Sequence, residues 1–250
     1  MILPDSLLSR PVAHRGLHDV AQGVPENSRA GIRAAIAAGY PIEIDLQMSR
    51  DKQAMVFHDY DMQRLAGHKG PVQLRTSQDL ADIQLIGGNE SVPTLSEVLE
   101  IVDGQVPLLV ELKDQDGGLG PAVGPLEAAT ARALEGYSGD VALMSFNPHM
   151  VAELARLIPN RPRGLTTCGF LHDDWQTIKP DRLRELRPLP DYDRVGACFI
   201  SHNVDDLRST HVDRLRSQGI PILCWTVRSA QQEAEARKLA DNVTFEGYSA

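Results

Sequence analysis

Short runs of apolar and β-branched residues alternate with helix-like segments along almost the whole chain. Apolar runs bounded by turn residues are typical of buried strands, and apolar residues spaced three to four positions apart are typical of helices. The pattern predicts strands at Val12–His14, Ile42–Leu46, Leu108–Leu112, Val141–Ser145, Arg163–Leu165, Ala197–Ile200, Ile222–Thr226 and Val243–Phe245. Such alternation favours a parallel sheet. Eight strand–helix units in about 250 residues indicate a (β/α)8 TIM barrel.

The segments between the strands carry helix start and stop signals. The clearest is Ser28–Ala38, with Asn27 or Ser28 as its N-cap and Gly39 at its end. A second helix begins at Thr94, where Glu97 three residues later completes a capping-box pattern. The remaining helices predicted from the pattern are Pro148–Ile158, Val212–Gln218 and Ala230–Leu239.

One spacing is longer than the others, between the second and third barrel strands. The excess lies in residues 59–93, which are rich in glycine and charged residues, so we expect a small insertion after the second strand. A short extra strand, Ala54–Phe57, leads into it. No Pro/Gly/Ser-rich linker divides the chain, and we expect residues 1–250 to form a single barrel domain.

Composition narrows the possible functions. The chain has 250 residues, 42% of them hydrophobic, and its 25 basic and 34 acidic residues give a net charge of −9. This charge repels nucleic acids and anionic lipid surfaces, so we expect no nucleic-acid partner and no stable membrane insertion. The three cysteines form no paired motif, and the N-terminus lacks the features of a signal peptide. We therefore expect reduced thiols and a cytoplasmic location.

Carboxylates occupy the ends of two predicted barrel strands, where barrel enzymes place their chemistry. Glu43 and Asp45 share one face of the second strand, and Glu111 and Lys113 share one face of the third. Buried carboxylates need a cation. Three carboxylates without cysteine or paired histidine suit a hard divalent ion such as Mg²⁺ or Ca²⁺. Alternatively, Lys113 neutralises one carboxylate as a structural ion pair.

An ordered set of short motifs resembles the glycerophosphodiester phosphodiesterase family. Each motif is common on its own, but the set occurs in the family's order from residue 14 to residue 226. The motifs are His14-Arg15-Gly16, Pro25-Glu26-Asn27-Ser28, Glu43-Ile44-Asp45, Phe57-His58-Asp59, Pro93-Thr94-Leu95, Glu111-Leu112-Lys113, Ser145-Phe146 and Trp225-Thr226.

The resemblance implies a metal-dependent barrel enzyme that cleaves small glycerophosphodiesters into an alcohol and sn-glycerol 3-phosphate. By position, it implies His14 and His58 as the catalytic acid–base pair, with the two roles open between them. It also implies Glu43, Asp45 and Glu111 as metal ligands, and Arg15 and Lys113 as phosphate-binding residues.

Several further residues are open to two interpretations. Glu26 and Asn27 either support the metal ligands or belong to a helix cap, and Trp225 either packs against substrate carbons or is structural. Glu246, where the chain departs from the Asp-Pro segment usual in the family, either binds a substrate hydroxyl or faces solvent; the departure leaves an eighth helix in doubt. The segment 168–190 is either a lid or an irregular helical connection.

The remaining histidines and two cysteines lack supporting spacing. His18 is expected to line the entrance of the site, and Cys198 and Cys224 are expected to be small core residues. We expect the other histidines to be surface or loop residues: His68, His149, His172, His202 and His211.

Two other functions fit the same barrel. One is a lysophospholipase D-type or phosphoinositide-type activity on a lipid, which would favour an exposed apolar surface near the site. The other is a non-catalytic barrel that binds a phosphodiester, for which the loss of a histidine or a carboxylate would be the sign. Neither sign is present in the sequence.

Overall fold

The computed structural model describes residues 1–250 and contains one closed sheet surrounded by helices. The strands are β1 (Val12–Ala13), β2 (Ile42–Met48), β3 (Ala54–Val56), β4 (Leu108–Leu112), β5 (Val141–Ser145), β6 (Arg163–Thr167), β7 (Phe199–Asn203), β8 (Ile222–Val227) and β9 (Asn242–Phe245). All except β3 are parallel to their neighbours, and β1 pairs with both β2 and β9. This pairing closes an eight-stranded barrel, which confirms the predicted fold class.

Helices separate the consecutive barrel strands. They are α1 (Arg29–Ala38), α2 (Gln63–Ala66), α3 (Ser77–Ala81), α4 (Leu95–Val102), α5 (Pro125–Ala133), α6 (Pro148–Leu157), α7 (Pro180–Leu186), α8 (Thr210–Ser217) and α9 (Ala230–Ala236). Short 3₁₀ turns also occur, and no helix follows β9. None of these helices has both the length and the apolar character needed to cross a membrane.

At two helices, capping residues in the local sequence determine where the helix begins. Ser28, not Asn27, caps α1, because its hydroxyl accepts a hydrogen bond from the Gly31 amide. The predicted capping box of Thr94 and Glu97 begins α4. The sequence interpretation missed α5, although Pro125 at its first turn is a start signal.

Apolar side chains fill the end of the barrel at which the strands begin, and the end at the carboxyl termini of the strands is polar. A cluster of 46 buried residues packs the strands against the helices. A second cluster includes Leu109, Met144 and Phe199 inside the barrel, together with Leu3 and Leu7 from the segment before β1. These two leucines close the end at which the strands begin. The cavity is therefore at the carboxyl ends of the strands.

The chain between β3 and α4 contains the expected insertion. Strand β3 runs antiparallel to β2, as the second strand of a short hairpin. Helices α2 and α3 follow. A separate cluster of nine buried residues, contributed by β3, these two helices and the loops around them, includes Phe57 and Met62. This segment therefore has its own small core beside the barrel.

Polar residues at strand ends caused the errors in strand boundaries. Strand β7 was predicted at residues 197–200, but it ends at Asn203, and β6 extends to Thr167. The prediction that His202 is a surface or loop residue is wrong, since it lies on β7 with 1% of its surface exposed. Its ring contacts Thr167 Oγ1 at 2.7 Å and Asp206 Oδ2 at 3.1 Å. These partners compensate for burying a polar ring.

Candidate active site

Three carboxylates lie close together inside the barrel, near the carboxyl ends of the strands. Glu43 and Asp45 point inward from β2, and Glu111 lies beside Asp45 in register on β4. All three are buried, and one carboxylate oxygen from each lies within 4.8 Å of the others. Since these donors are all hard oxygens in a compact group, the residues fit a divalent ion of the Mg²⁺ or Ca²⁺ kind.

Lys113 lies among these carboxylates. Its Nζ contacts Asp45 Oδ1 at 2.8 Å and Glu111 Oε1 at 2.7 Å, so the structural ion pair considered from the sequence is present. Although burial opposes a charged lysine, the two carboxylates raise its pKa above the usual range. The same ammonium group lines the cavity.

The carboxylates differ in their protonation. Burial, followed by the charges of Asp45 and Glu111, raises the pKa of Glu43 well above its usual value. Burial would also raise the pKa of Asp45, but Lys113 and other neighbouring cationic side chains hold it well below the ordinary range. Without a bound cation, Glu43 therefore holds a proton more readily than Asp45 does.

His14 follows β1 and forms one side of the cavity. Its Nδ1 lies 2.5 Å from Glu246 Oε2, and its Nε2 lies 4.0 Å from Glu43 Oε2. Burial lowers the pKa of His14 to about 4, against the opposing effect of Glu246. The imidazole is therefore neutral at physiological pH, with Nδ1–H donating to Glu246 and Nε2 available as an acceptor.

Glu246 follows β9 and is held by its own cationic partner. Arg228 Nη2 contacts its other oxygen at 2.8 Å, and His18 Nε2 lies 3.8 Å from the carboxylate. The hydrogen bond from His14 is the main reason why the pKa of Glu246 lies below the usual range. Of the two interpretations of Glu246, the structure supports neither, because its carboxylate binds His14.

His58 follows β3 and lines the same cavity. Its Nδ1 lies 2.7 Å from Asp59 Oδ1, and its backbone carbonyl accepts a hydrogen bond from the buried Gln47 side chain. Asp59 itself receives two hydrogen bonds from Arg64. Both histidines thus use Nδ1 for a carboxylate, which leaves each Nε2 for the cavity.

The turn after β1 presents Arg15 to the carboxylates. The Arg15 amide donates to Glu43 Oε2 at 3.0 Å, and its side chain lies 3.3 Å from Asp45 and 2.6 Å from Glu26. The next residue, Gly16, has φ +79°, and a Cβ there would lie 2.8 Å from the Gly31 carbonyl carbon. Glycine therefore allows this turn to pack against α1.

Asn27 connects α1 to the carboxylate group. It is buried, its Nδ2 donates to Asp45 Oδ2 at 2.9 Å, and its Oδ1 accepts from the Asp45 amide at 3.3 Å. Glu26 contacts Arg15 rather than a carboxylate. Asn27 is thus placed to orient a predicted metal ligand, and Glu26 is placed to orient a predicted phosphate-binding residue.

Aromatic side chains form the opposite side of a cavity of about 400 Å³. Phe146 lies between Trp175 and Trp225, with ring centroids 4.9 Å and 5.6 Å away. The Trp225 indole donates to the Ser201 carbonyl at 3.0 Å, so this residue has both a structural contact and a face on the cavity. The cavity therefore has an ionic side and an apolar side.

Sequence reasoning missed several residues that complete the site. Arg64, Trp175, Asn203 and Arg228 had no assigned role. Asn203 ends β7, and Arg228 directly follows β8, so their positions at strand ends were the available signal. Arg64 and Trp175 lie outside the barrel strands, and no strand-end rule identifies them.

One cavity of this (β/α)8 barrel holds three buried carboxylates, two carboxylate-bound histidines and three cationic side chains. This combination defines a hydrolytic barrel enzyme whose carboxylates fit a divalent ion. The sequence model of the glycerophosphoryl diester phosphodiesterase family matches residues 14–243, and the chain belongs to this family. Relatives and solved structures agree with that assignment.

Two curated relatives are both named glycerophosphodiester phosphodiesterase. The protein from Caldanaerobacter subterraneus subsp. tengcongensis is 26% identical over 86% of this chain and 84% of its own length. The protein from Bacillus subtilis is 28% identical over 96% of this chain and 82% of its own length.

Solved structures share the fold. A phosphodiesterase from Oleispira antarctica, in complex with the product sn-glycerol-3-phosphate, superposes with a TM-score of 0.76 at 21% identity, over 97% of this chain and 93% of that chain. A glycerophosphodiester phosphodiesterase from Parabacteroides distasonis gives 0.73 at 24% identity, over 94% and 91%.

Proposed function

We propose that this protein hydrolyses glycerophosphodiesters to an alcohol and sn-glycerol 3-phosphate, with a divalent ion bound by Glu43, Asp45 and Glu111. The observation that carries this proposal is the placement of His14 and His58 in one cavity with that carboxylate group. Membership of the family and the names of the curated relatives support it.

The ionic side of the cavity is suited to hold the phosphate. A phosphodiester carries one negative charge, and more charge develops on its oxygens during attack. A divalent ion supplies positive charge for those oxygens. Arg15 and Lys113 add fixed positive charges beside it. In this way a chain with a net charge of −9 can bind a small anion.

Two proton transfers remain, and the two histidines are placed to carry them. One must take a proton from the attacking oxygen, and the other must give a proton to the leaving alkoxide. Because Glu246 and Asp59 occupy the Nδ1 sides, each ring can exchange a proton through Nε2 without turning. Such a transfer contributes about 10²–10⁴-fold to a rate.

Magnesium and calcium are the ions we propose, since the ligands are carboxylates with no cysteine or histidine among them. The substrates we propose are small water-soluble diesters. Three free cysteines support a reducing, cytoplasmic environment.

The test is the release of sn-glycerol 3-phosphate from glycerophosphocholine, glycerophosphoethanolamine and glycerophosphoglycerol. We expect release to stop with chelator and to return with Mg²⁺ or Ca²⁺. Micellar lysophosphatidylcholine tests the lipid alternative, and phosphodiester binding without turnover would support the non-catalytic one. Absence of chelator-sensitive release from all three small diesters would contradict the proposed function.

A further inference from the structure

Arg64 lies on α2, in the segment inserted between β3 and α4, and its guanidinium joins two carboxylates. Toward Asp59, Nε and Nη2 each donate at 2.7 Å. Toward Glu26, Nη1 and Nη2 donate at 2.8 Å and 3.0 Å. Both ion pairs are therefore bidentate, and a bidentate pair fixes the relative orientation of the guanidinium and the carboxylate as well as their distance.

Each of these carboxylates holds one residue of the proposed site. Asp59 Oδ1 lies 2.7 Å from His58 Nδ1. Glu26 Oε1 lies 2.6 Å from Arg15 Nη1. A continuous chain of charged contacts thus runs from the proton-transfer side of the cavity, through the insertion, to the phosphate side.

Arginine has a geometry that lysine cannot reproduce here. Its planar group offers five N–H donors, and four donor–acceptor contacts are made at once. Its contacts help to hold the pKa values of Asp59 and Glu26 below the ordinary range, against the effect of burial. Removing the guanidinium leaves two partly buried anions facing each other, so both would move away from their present positions.

We propose that Arg64 is a positioning residue, through which the insertion sets both the ring orientation of His58 and the side-chain position of Arg15. This inference rests on the proposed function, because it assigns consequences to proton transfer and to phosphate binding. It also gives the segment 59–93 a definite role, which is to orient two sides of the site rather than only to cover it.

Four substitutions test the two branches of this chain of contacts, the one to His58 and the one to Arg15. Asp59→Asn interrupts the branch to His58 and should lower kcat while leaving the dissociation constant of sn-glycerol 3-phosphate unchanged. Glu26→Gln interrupts the branch to Arg15 and should mainly weaken that binding. Arg64→Gln should do both, with a loss of kcat/KM of about 10–100-fold, the size usual for residues that orient site groups. Arg64→Lys keeps the charge and should recover little of the loss.

A double-mutant cycle distinguishes positioning from a general loss of folding. If Arg64 acts on kcat through Asp59, Arg64→Gln combined with Asp59→Asn should cost about as much kcat as the more harmful single change. Arg50→Gln is the matched control, since Arg50 makes a surface contact with Asp79 at 3.9 Å, outside the cavity lining. This control should keep wild-type kinetics.

A spectroscopic measurement is independent of turnover. In ¹⁵N-histidine-labelled protein, the His58 Nδ1–H should be protected from exchange in the wild type and in Arg50→Gln, and exposed in Arg64→Gln. Unchanged kinetics and unchanged His58 protection in Arg64→Gln would overturn the inference. Additive losses of kcat in the cycle would also overturn it. An inactive wild type would instead contradict the proposed function.

Discussion

Two histidines and a carboxylate group are the smallest features on which the proposed chemistry depends. His14 and His58 each have Nδ1 bound to a carboxylate, and each borders the same cavity. Their surroundings differ, since His14 is buried and has a lowered pKa of about 4. The two rings therefore share the same kind of hydrogen-bond partner but differ in their surroundings.

Replacing either catalytic candidate should remove turnover without unfolding the protein. We expect His14→Ala and His58→Ala each to lower kcat by about 10²–10⁴-fold, because each removes one proton transfer. Steady-state kinetics with circular dichroism as a check of folding measures this. His172→Ala is the control, since His172 is exposed on a loop and should keep full activity. Near-wild-type activity of either folded catalytic variant would refute its assignment.

Glu43 should make the affinity of the site for a divalent ion depend on pH, and the groups around Glu43 determine the direction of that dependence. Its pKa is raised by burial and by Asp45 and Glu111, whereas binding a cation requires the ionised form. Ion binding should therefore release a proton, and the affinity for Mg²⁺ or Ca²⁺ should increase as pH rises through that raised pKa. Calorimetry in buffers of different ionisation enthalpy measures the proton. Glu43→Gln should bind the ion more weakly and release no proton from this position, and equal proton release in both proteins would contradict the argument.

At the scale of helices and strands, the sequence pattern identified the barrel because its apolar runs and capping signals are local. The capping box at Thr94 and Glu97 is an example. The pattern failed where polar residues extend a strand, as at Ser201 and Asn203, because their burial depends on neighbouring strands. It placed the carboxylates through strand alternation. It could not find Arg64, whose partners are fixed only by the path of the inserted segment.

Two adjacent residues at the start of α1 have different predicted roles: Ser28 caps the helix, and Asn27 orients Asp45. Ser28→Ala removes the helix cap and should lower the free energy of unfolding by about 1 kcal/mol with kcat unchanged. Asn27→Ala removes both contacts with Asp45 and should weaken ion binding, as well as costing about 1–3 kcal/mol of stability. Denaturant unfolding and ion titration measure the two effects. Equal ion affinity in both variants would show that Asn27 does not orient Asp45.

At the scale of the whole molecule, the two ends of the barrel differ: apolar side chains pack one end, and the proposed active site lies at the other. Leu7 is fully buried at the filled end, and the Asn242 side chain donates to its backbone carbonyl at 2.8 Å. The polar cavity lies at the other end, among the carboxyl ends of the strands. Stability and chemistry should therefore respond separately to changes at the two ends.

Shortening Leu7 tests this separation. Leu7→Ala should lower the free energy of unfolding by about 2–5 kcal/mol, because it leaves a cavity among closely packed side chains. The kcat of the folded fraction should remain at the wild-type value. Chemical denaturation and kinetics at low temperature measure both quantities. A large fall in kcat with little loss of stability would show that the two ends are coupled.

The seam between β1 and β9 brings together residues from nearly opposite ends of the sequence. His14 and Glu246 are 232 positions apart, and the His14 amide donates to the Phe245 carbonyl across the same seam. During translation, a nascent chain exposes His14 long before Glu246 has left the ribosome. The contact has a very high sequence separation, so we expect it to form after the other strands have paired, because those pairings shorten the loop that must still be closed. Turnover would then be a late reporter of folding, because a chain that has not closed its barrel cannot orient His14.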